Sequence, residues 1–309
     1  MKYHKLLFLA VLIVLVSGAS CQTGSNKSTS AGPFIGGFDG LQVNFIEDAP
    51  PSSGIFEKES FPIEVELVNK GESQVGKGDA KIYLVGTLTG GSFKLEKNSA
   101  ASDIELFAVE QGSAGVAEDS TIVSLGNVIY QPSPPMTGPT YAFNAKAQVC
   151  YPYRTEVQLD NYCIPSDSRT PTGTEECTID TNANLIQSGD NSAGPVQVTS
   201  LTETKGAGYV KLRIDVNNQG TGEITPCGDK VALDDRDNVA VTLPQGVECS
   251  ELGNSNVGQV KLRDGHAVLR CTKNVNNPGP AYEDRFTISL AYDYMQEVVK
   301  QVTINKKEI

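Results

Sequence analysis

Tryptophan is absent from this chain of 309 residues, and histidine nearly so, with only His4 and His266. Outside the first residues one imidazole remains, so histidine-based triads and multi-histidine metal centres have almost no material to be built from. No Cys-x-x-Cys pair occurs, which removes zinc ligation at familiar spacing. The chain also lacks a Gly-x-x-x-x-Gly-Lys-Ser/Thr loop, a Gly-x-Ser-x-Gly elbow and a His-Glu-x-x-His helix, and with them phosphate-cradle, hydrolase and metalloprotease chemistry in their usual forms. Basic residues are in deficit. Export would remove Lys2 and Lys5, leaving 23 Lys and Arg against 37 Asp and Glu, a net charge of −14. That balance opposes binding to nucleic acid or anionic lipid, both of which need clustered cations. The reading is a non-enzymatic protein with no resident cofactor and no nucleic-acid partner.

What is present begins at the N-terminus. Met1 to Lys5 is a short basic start, Leu6 to Val16 is an unbroken apolar run, and Ser17-Gly18-Ala19-Ser20 supplies small residues before Cys21. This is the plan of an export signal, with an apolar core too short to span a bilayer comfortably. Residues 1–20 read as signal peptide, and Cys21 as a lipid attachment point that would hold the chain on the membrane outside the cytoplasm. Gly18 stands where a lipobox has Leu or Val, and cleavage after Ala19 would instead release a secreted protein. Residues 21–35 read as a polar tether of Ser, Thr and Gly. Within it, Asn26-Lys27-Ser28 is an N-x-S/T sequon, making Asn26 a candidate for glycosylation.

Apart from Cys21 the cysteines are six: Cys150, Cys163, Cys177, Cys227, Cys249 and Cys271. An even number in an oxidising compartment predicts three disulfides. Proximity along the chain predicts that Cys150 pairs with Cys163 or Cys177, and that two of Cys227, Cys249 and Cys271 pair with each other.

Downstream of Leu41 the hydrophobic pattern has period two, cut into short runs by Gly, Pro, Asn and Asp. Leu41–Phe45, Ile63–Leu67, Ala80–Leu84, Ser92–Leu95, Ile122–Val128 and Tyr141–Val149 are strand candidates in the first half. In the second half they are Val196–Leu201, Tyr209–Val216, Val239–Leu243, Gln259–Leu262, His266–Cys271, Phe286–Tyr292 and Val298–Ile304. Short, half-buried strands at this spacing predict an all-β antiparallel sandwich.

The halves resemble each other. Phe61 to Gly71 lines up with Tyr209 to Asn217, closing on Gln219-Gly220, and Tyr-x-Tyr-x-x-Glu-Val occurs twice, at Tyr151, Tyr153, Glu156, Val157 and at Tyr292, Tyr294, Glu297, Val298. The duplication predicts two sandwich domains in series, 36–164 and 195–309, joined by a disulfide-braced linker at 165–194. Tyrosines spaced by two share one sheet face. Their recurrence favours a core role over a binding surface.

An alternating strand that runs into Asn-x-Gly or Asn-x-x-Gly, as in Glu64 to Gly71 and Arg213 to Gly220, resembles the immunoglobulin-like modules of the CARDB (cell-adhesion-related) kind in prokaryotic surface proteins. The Gly36 to Leu41 start with Pro50-Pro51 is also similar to exported archaeal proteins. The resemblance implies an immunoglobulin-like fold and an extracellular setting, with no catalytic residues to carry over.

Two further candidates remain. Asp234, Asp235, Asp237 and Asn238, with Asp229 nearby, form the densest acidic cluster and could offer hard oxygen ligands to Ca2+, although the spacing lacks the EF-hand pattern and Arg236 opposes a cation. His266 opens a strand after the Asp264-Gly265 turn and reads as structural. The expected role is that of a membrane-anchored surface protein in adhesion or envelope structure, its partners the membrane, other envelope proteins or further copies of itself. The rival readings are a filament subunit assembled by strand addition at Leu41–Phe45, and an exported ligand-binding or hydrolase-accessory protein.

Overall fold

The computed structural model describes residues 32–110, 118–167, 175–228 and 232–307. Cys21 and Asn26 lie outside these, as does Asp229. The architecture is all-β, with three short 3-10 turns and no α-helix among the described residues. No described helix is long and apolar enough to cross a membrane.

The first half supplies β1 (Leu41–Phe45), β2 (Ile55–Phe56), β3 (Ser60–Asn69), β4 (Lys81–Val85), β5 (Phe93–Leu95), β6 (Ser99–Ala101), β7 (Ser120–Tyr130) and β8 (Thr140–Ile164). The second supplies β9 (Val196–Lys205), β10 (Tyr209–Asn218), β11 (Glu223–Ile224), β12 (Asn238–Thr242), β13 (Val247–Cys249), β14 (Val257–Lys261), β15 (His266–Asn274) and β16 (Tyr282–Asn305). Two four-stranded sheets have the same topology, β1-β3-β7-β5 and β9-β10-β15-β13. The third sheet, β14-β12-β16-β8-β4-β6, is shared by both halves.

The duplication is real, but its register along the chain shifts by one residue from the sequence alignment. Buried Phe61, Ile63, Val65 and Leu67 of β3 correspond to buried Val210, Leu212, Ile214 and Val216 of β10. Asn69 therefore matches Asn218 rather than Asn217. Aligning Phe61 with Tyr209 pairs apolar with apolar at one position but sets the following core residues against Lys211 and Arg213.

The halves are not set in series. β8 and β16 run antiparallel along almost their whole length, from Tyr282 opposite Ile164 to Asn305 opposite Thr140, with one bulge near Asp284. The first part of β8 pairs with β4, while the first part of β16 pairs with β12. Each long strand thus begins in its own half and finishes in the other. Odd-numbered residues of β8 from Phe143 to Leu159 and even-numbered residues of β16 from Phe286 to Tyr294 are buried. The shared sheet therefore buries one continuous face, and both four-stranded sheets pack on it, as at Phe93 of β5 against Phe143 of β8 with ring centroids 4.8 Å apart.

The described part of the expected linker packs against the core. The Leu185 N–H donates to Leu201 O (2.9 Å), and the Ser192 N–H to Glu156 O (2.8 Å). Asn184 and Asn191 also hydrogen-bond the backbone of β9 along its open edge.

Candidate functional site

The register that pairs β8 with β16 sets Tyr151 opposite Tyr294 and Tyr153 opposite Tyr292, with Pro152 opposite Asp293 between them. A pseudo-twofold relation between the halves passes through this point. The four rings form a closed circuit, with centroids 5.8 Å apart for Tyr151–Tyr153, 6.1 Å for Tyr151–Tyr294, 6.2 Å for Tyr153–Tyr292 and 6.2 Å for Tyr292–Tyr294. All four are buried.

Their hydroxyls repeat the same contacts in both halves. The Leu41 N–H donates to Tyr151 Oη (3.2 Å), and the Val196 N–H donates to Tyr292 Oη (3.2 Å), so each of these tyrosines holds the start of an edge strand. The Ser73 N–H donates to Tyr153 Oη (3.2 Å) and the Gly222 N–H to Tyr294 Oη (2.7 Å), so the other two hold the chain where it leaves β3 and β10. Tyr153 Oη also donates to Ala193 O (3.3 Å), and Tyr292 Oη shares a hydrogen bond with Thr155 Oγ1 (2.9 Å).

The Asn-x-Gly turn is the other half of this device. Asn69 Nδ2 donates to Ser73 O (2.9 Å) while Asn69 Oδ1 accepts from the Gly71 N–H (3.1 Å). Asn218 does the same with Gly222 O (3.0 Å) and the Gly220 N–H (3.2 Å). A Cβ on Gly71 would run into Tyr153 Oη, and one on Gly220 into Tyr294 Oη. The two sequence signatures, Asn-x-Gly and Tyr-x-Tyr, are thus one structural unit seen from two strands. Burial pushes the pKa of all four phenols above the ordinary tyrosine value, so they stay protonated and serve as fixed hydrogen-bonding groups.

All six described cysteines are in disulfides: Cys150–Cys227, Cys163–Cys177 and Cys249–Cys271. The last pair is as expected. Cys150 is the correction, because it bonds Cys227 across 77 residues rather than a neighbour in its own half. Side chains at even positions of β8 ahead of its bulge point to the uncovered face of the shared sheet, where the loop after β11 lies. The Thr225 N–H donates to Asp293 O (3.1 Å), and the Cys227 N–H to Asp293 Oδ2 (3.0 Å). Cys150 is therefore within reach of a loop of the second half, whereas Cys163 lies at the far end of the same extended strand.

The acidic cluster does not form a ligand set. Asp234 and Asp235 lie on a 3-10 turn, Asp237 has φ 63°, and Asn238 turns its Nδ2 toward Asp234 O (3.1 Å). Lys261 Nζ already donates to that carbonyl (3.1 Å), and Arg236 sits 4.0 Å from Glu223. No group of three or more His, Cys, Asp or Glu able to hold a metal occurs among the described residues. His266 is exposed, and its Nε2 lies 3.3 Å from Asp215 Oδ1, a carboxylate also held by Arg213.

The uncovered face carries two polar depressions on either side of the pseudo-twofold point. One of about 680 Å3 is lined by Gln74, Pro152, Arg154, Pro226, Asp235 and Asp293. The other, of about 730 Å3, is lined by Tyr83, Gln148, Glu223, Arg236, Met295 and Glu297.

No protein-family model matches the chain, and no curated protein matches it. Among solved structures it is similar to the C-terminal globular domain of an oligosaccharyltransferase from Pyrococcus abyssi, at 8% identity over 86% of this chain and with a TM-score of 0.20. The match covers about half, 48%, of that domain. A triple jelly-roll protein of an archaeal virus turret matches at 10% identity over 89% of this chain and 92% of its own, with a TM-score of 0.13. A protein of Sulfolobus turreted icosahedral virus matches at 10% identity over 82% and 89%, with a TM-score of 0.11. Likenesses this distant carry no argument about function.

Proposed function

We propose that this chain is an exported, membrane-anchored protein with a non-enzymatic role in envelope structure or adhesion. The observation that supports this most is the crossing of β8 and β16, through which each half completes the sheet of the other around buried tyrosines. Such a body resists being pulled apart at a boundary between domains, because the boundary is itself a hydrogen-bonded ladder. Three disulfides suit it to an oxidising exterior, and the N-terminal segment ending at Cys21 supplies export and attachment. Immunoglobulin-like modules of surface proteins remain the resemblance that fits this setting.

One observation favours assembly by strand addition as a second reading. β9 has its edge bracketed by Asn184 and Asn191, whereas β1, its counterpart, ends its sheet with no such bracket among the described residues. An open edge accepts a further strand.

The test is a Cys21→Ser variant expressed in cells that process exported lipoproteins, alongside deletion of the gene. Wild type is expected in the detergent-soluble membrane fraction, the variant free in the medium, and the deletion strain weakened in attachment or envelope integrity. Retention of the variant in the membrane would remove the lipid anchor, and an unaltered deletion strain would remove the envelope role.

A further inference from the structure

We propose that Glu203 is a proton-operated latch at the end of the second sandwich, holding the last residues of β8 and the segment that covers β9 closed when its carboxyl is neutral and loosening them when it ionises. Glu203 is on β9 yet points inward and is only 2% exposed. Its Oε1 accepts the Cys163 N–H (3.2 Å), next to the Cys163–Cys177 disulfide. Tyr162, adjacent on β8, is fully buried with its hydroxyl unpartnered, and packs on Phe286 with ring centroids 4.9 Å apart. The carboxyl and the orphan phenol are thus both withdrawn from solvent at this end of the sandwich.

The charged and titratable groups that face this carboxyl come from every neighbouring element. From β15, Lys273 places Nζ 5.0 Å from the centre of the Tyr162 ring and favours the ionised carboxylate. From β8 comes Tyr162 itself, and from β16 Asp284 and Tyr282, which act on the Tyr162 phenol. On β9, Lys205 is directed to Ser166 O (2.9 Å) rather than to the carboxyl. On β10, the residue paired with Glu203 is Leu212, which offers no charge. Burial outweighs the Cys163 N–H and Lys273, and pushes the carboxyl up to about 7.

The sign follows from linkage. A carboxyl with a raised value in the folded state stabilises the closed form below its ordinary range, and that stability is lost as pH rises through about 7. The covering segment is the part placed to respond, since the Cys163–Cys177 disulfide joins it to the strand end that Glu203 holds, and the Leu185 N–H to Leu201 O (2.9 Å), Asn184 and Asn161 Nδ2 to Leu185 O (3.3 Å) lay it along β9 and β8.

Hydrogen exchange of the full mature chain tests this, read at the Cys163 and Leu185 amides and corrected for the intrinsic chemical rate. Between pH 6 and pH 8 protection is expected to fall about tenfold in wild type, and to stay level in Glu203→Gln, whose amide oxygen can still accept the Cys163 N–H. In Lys273→Met the midpoint is expected to move to higher pH, because the cation that favours ionisation is gone. Protection that is level in wild type, or the same fall in Glu203→Gln, would overturn the proposal. Should Glu203→Gln fail to fold, an unmoved midpoint in Lys273→Met overturns it instead.

Discussion

Gly220 and Tyr294 show at single-residue scale what the repeated signatures are for. The glycine leaves room for a hydroxyl that orders the turn after β10, and any larger residue displaces it. Gly220→Ala is expected to cost about 1–3 kcal/mol as overpacking, and Tyr294→Phe about 1–3 kcal/mol through the unpaired Gly222 N–H. The two changes share one contact, so in denaturant unfolding the double variant is expected to be less destabilised than the sum of the singles. Strict additivity would show that the glycine and the hydroxyl act independently. Much of this was legible in the sequence, which displays both signatures in both halves. What it does not display is that they touch, because Gly220 and Tyr294 are brought together only where the sheet carrying β10 packs on the shared sheet carrying β16. The acidic cluster at Asp234 to Asn238 shows the opposite: residues adjacent in sequence form no metal-holding group among the described residues, and a lysine from β14 donates to the Asp234 carbonyl.

Among the elements, β8 departs most from its sequence pattern. Period two is plain from Tyr141 to Val149, where the strand candidate ends, and Pro152 beyond it has no N–H for a central ladder. The strand continues to Ile164 because Pro152 is opposite Asp293, whose carbonyl points away from β8 to the Thr225 N–H. The two residues therefore form a non-hydrogen-bonded pair, and the missing N–H of Pro152 falls on the flank where pairing with β4 has already stopped at Cys150. The same geometry explains the unexpected disulfide. Cys150 shares that outer face and meets the loop carrying Cys227, so chain proximity to Cys163 was a poor guide. Closing 77 residues, Cys150–Cys227 is expected to contribute about 4–5 kcal/mol, against about 3 kcal/mol for the 14-residue Cys163–Cys177 loop. Paired Cys→Ser variants compared by guanidinium unfolding check the order, and equal losses would contradict it.

For the whole molecule, composition and periodicity were enough to read an all-β sandwich duplicated along the chain. They were not enough to read the crossing, since a strand that serves its own half and one that passes into the other have the same alternation of buried and exposed residues. The consequence is energetic. If β8 and β16 each contribute to both cores, neither half retains its sheet when the other unfolds, and the latch proposed at Glu203 releases only the last residues of β8 and the covering segment within that cooperative whole. Calorimetric melting of the oxidised mature protein tests this most directly. One transition is predicted, with calorimetric and van't Hoff enthalpies in a ratio of about one, and Tyr294→Phe should lower that transition without splitting it. Two resolved transitions in the wild-type protein, with one half melting while the other keeps its near-ultraviolet tyrosine signal, would contradict the welded architecture.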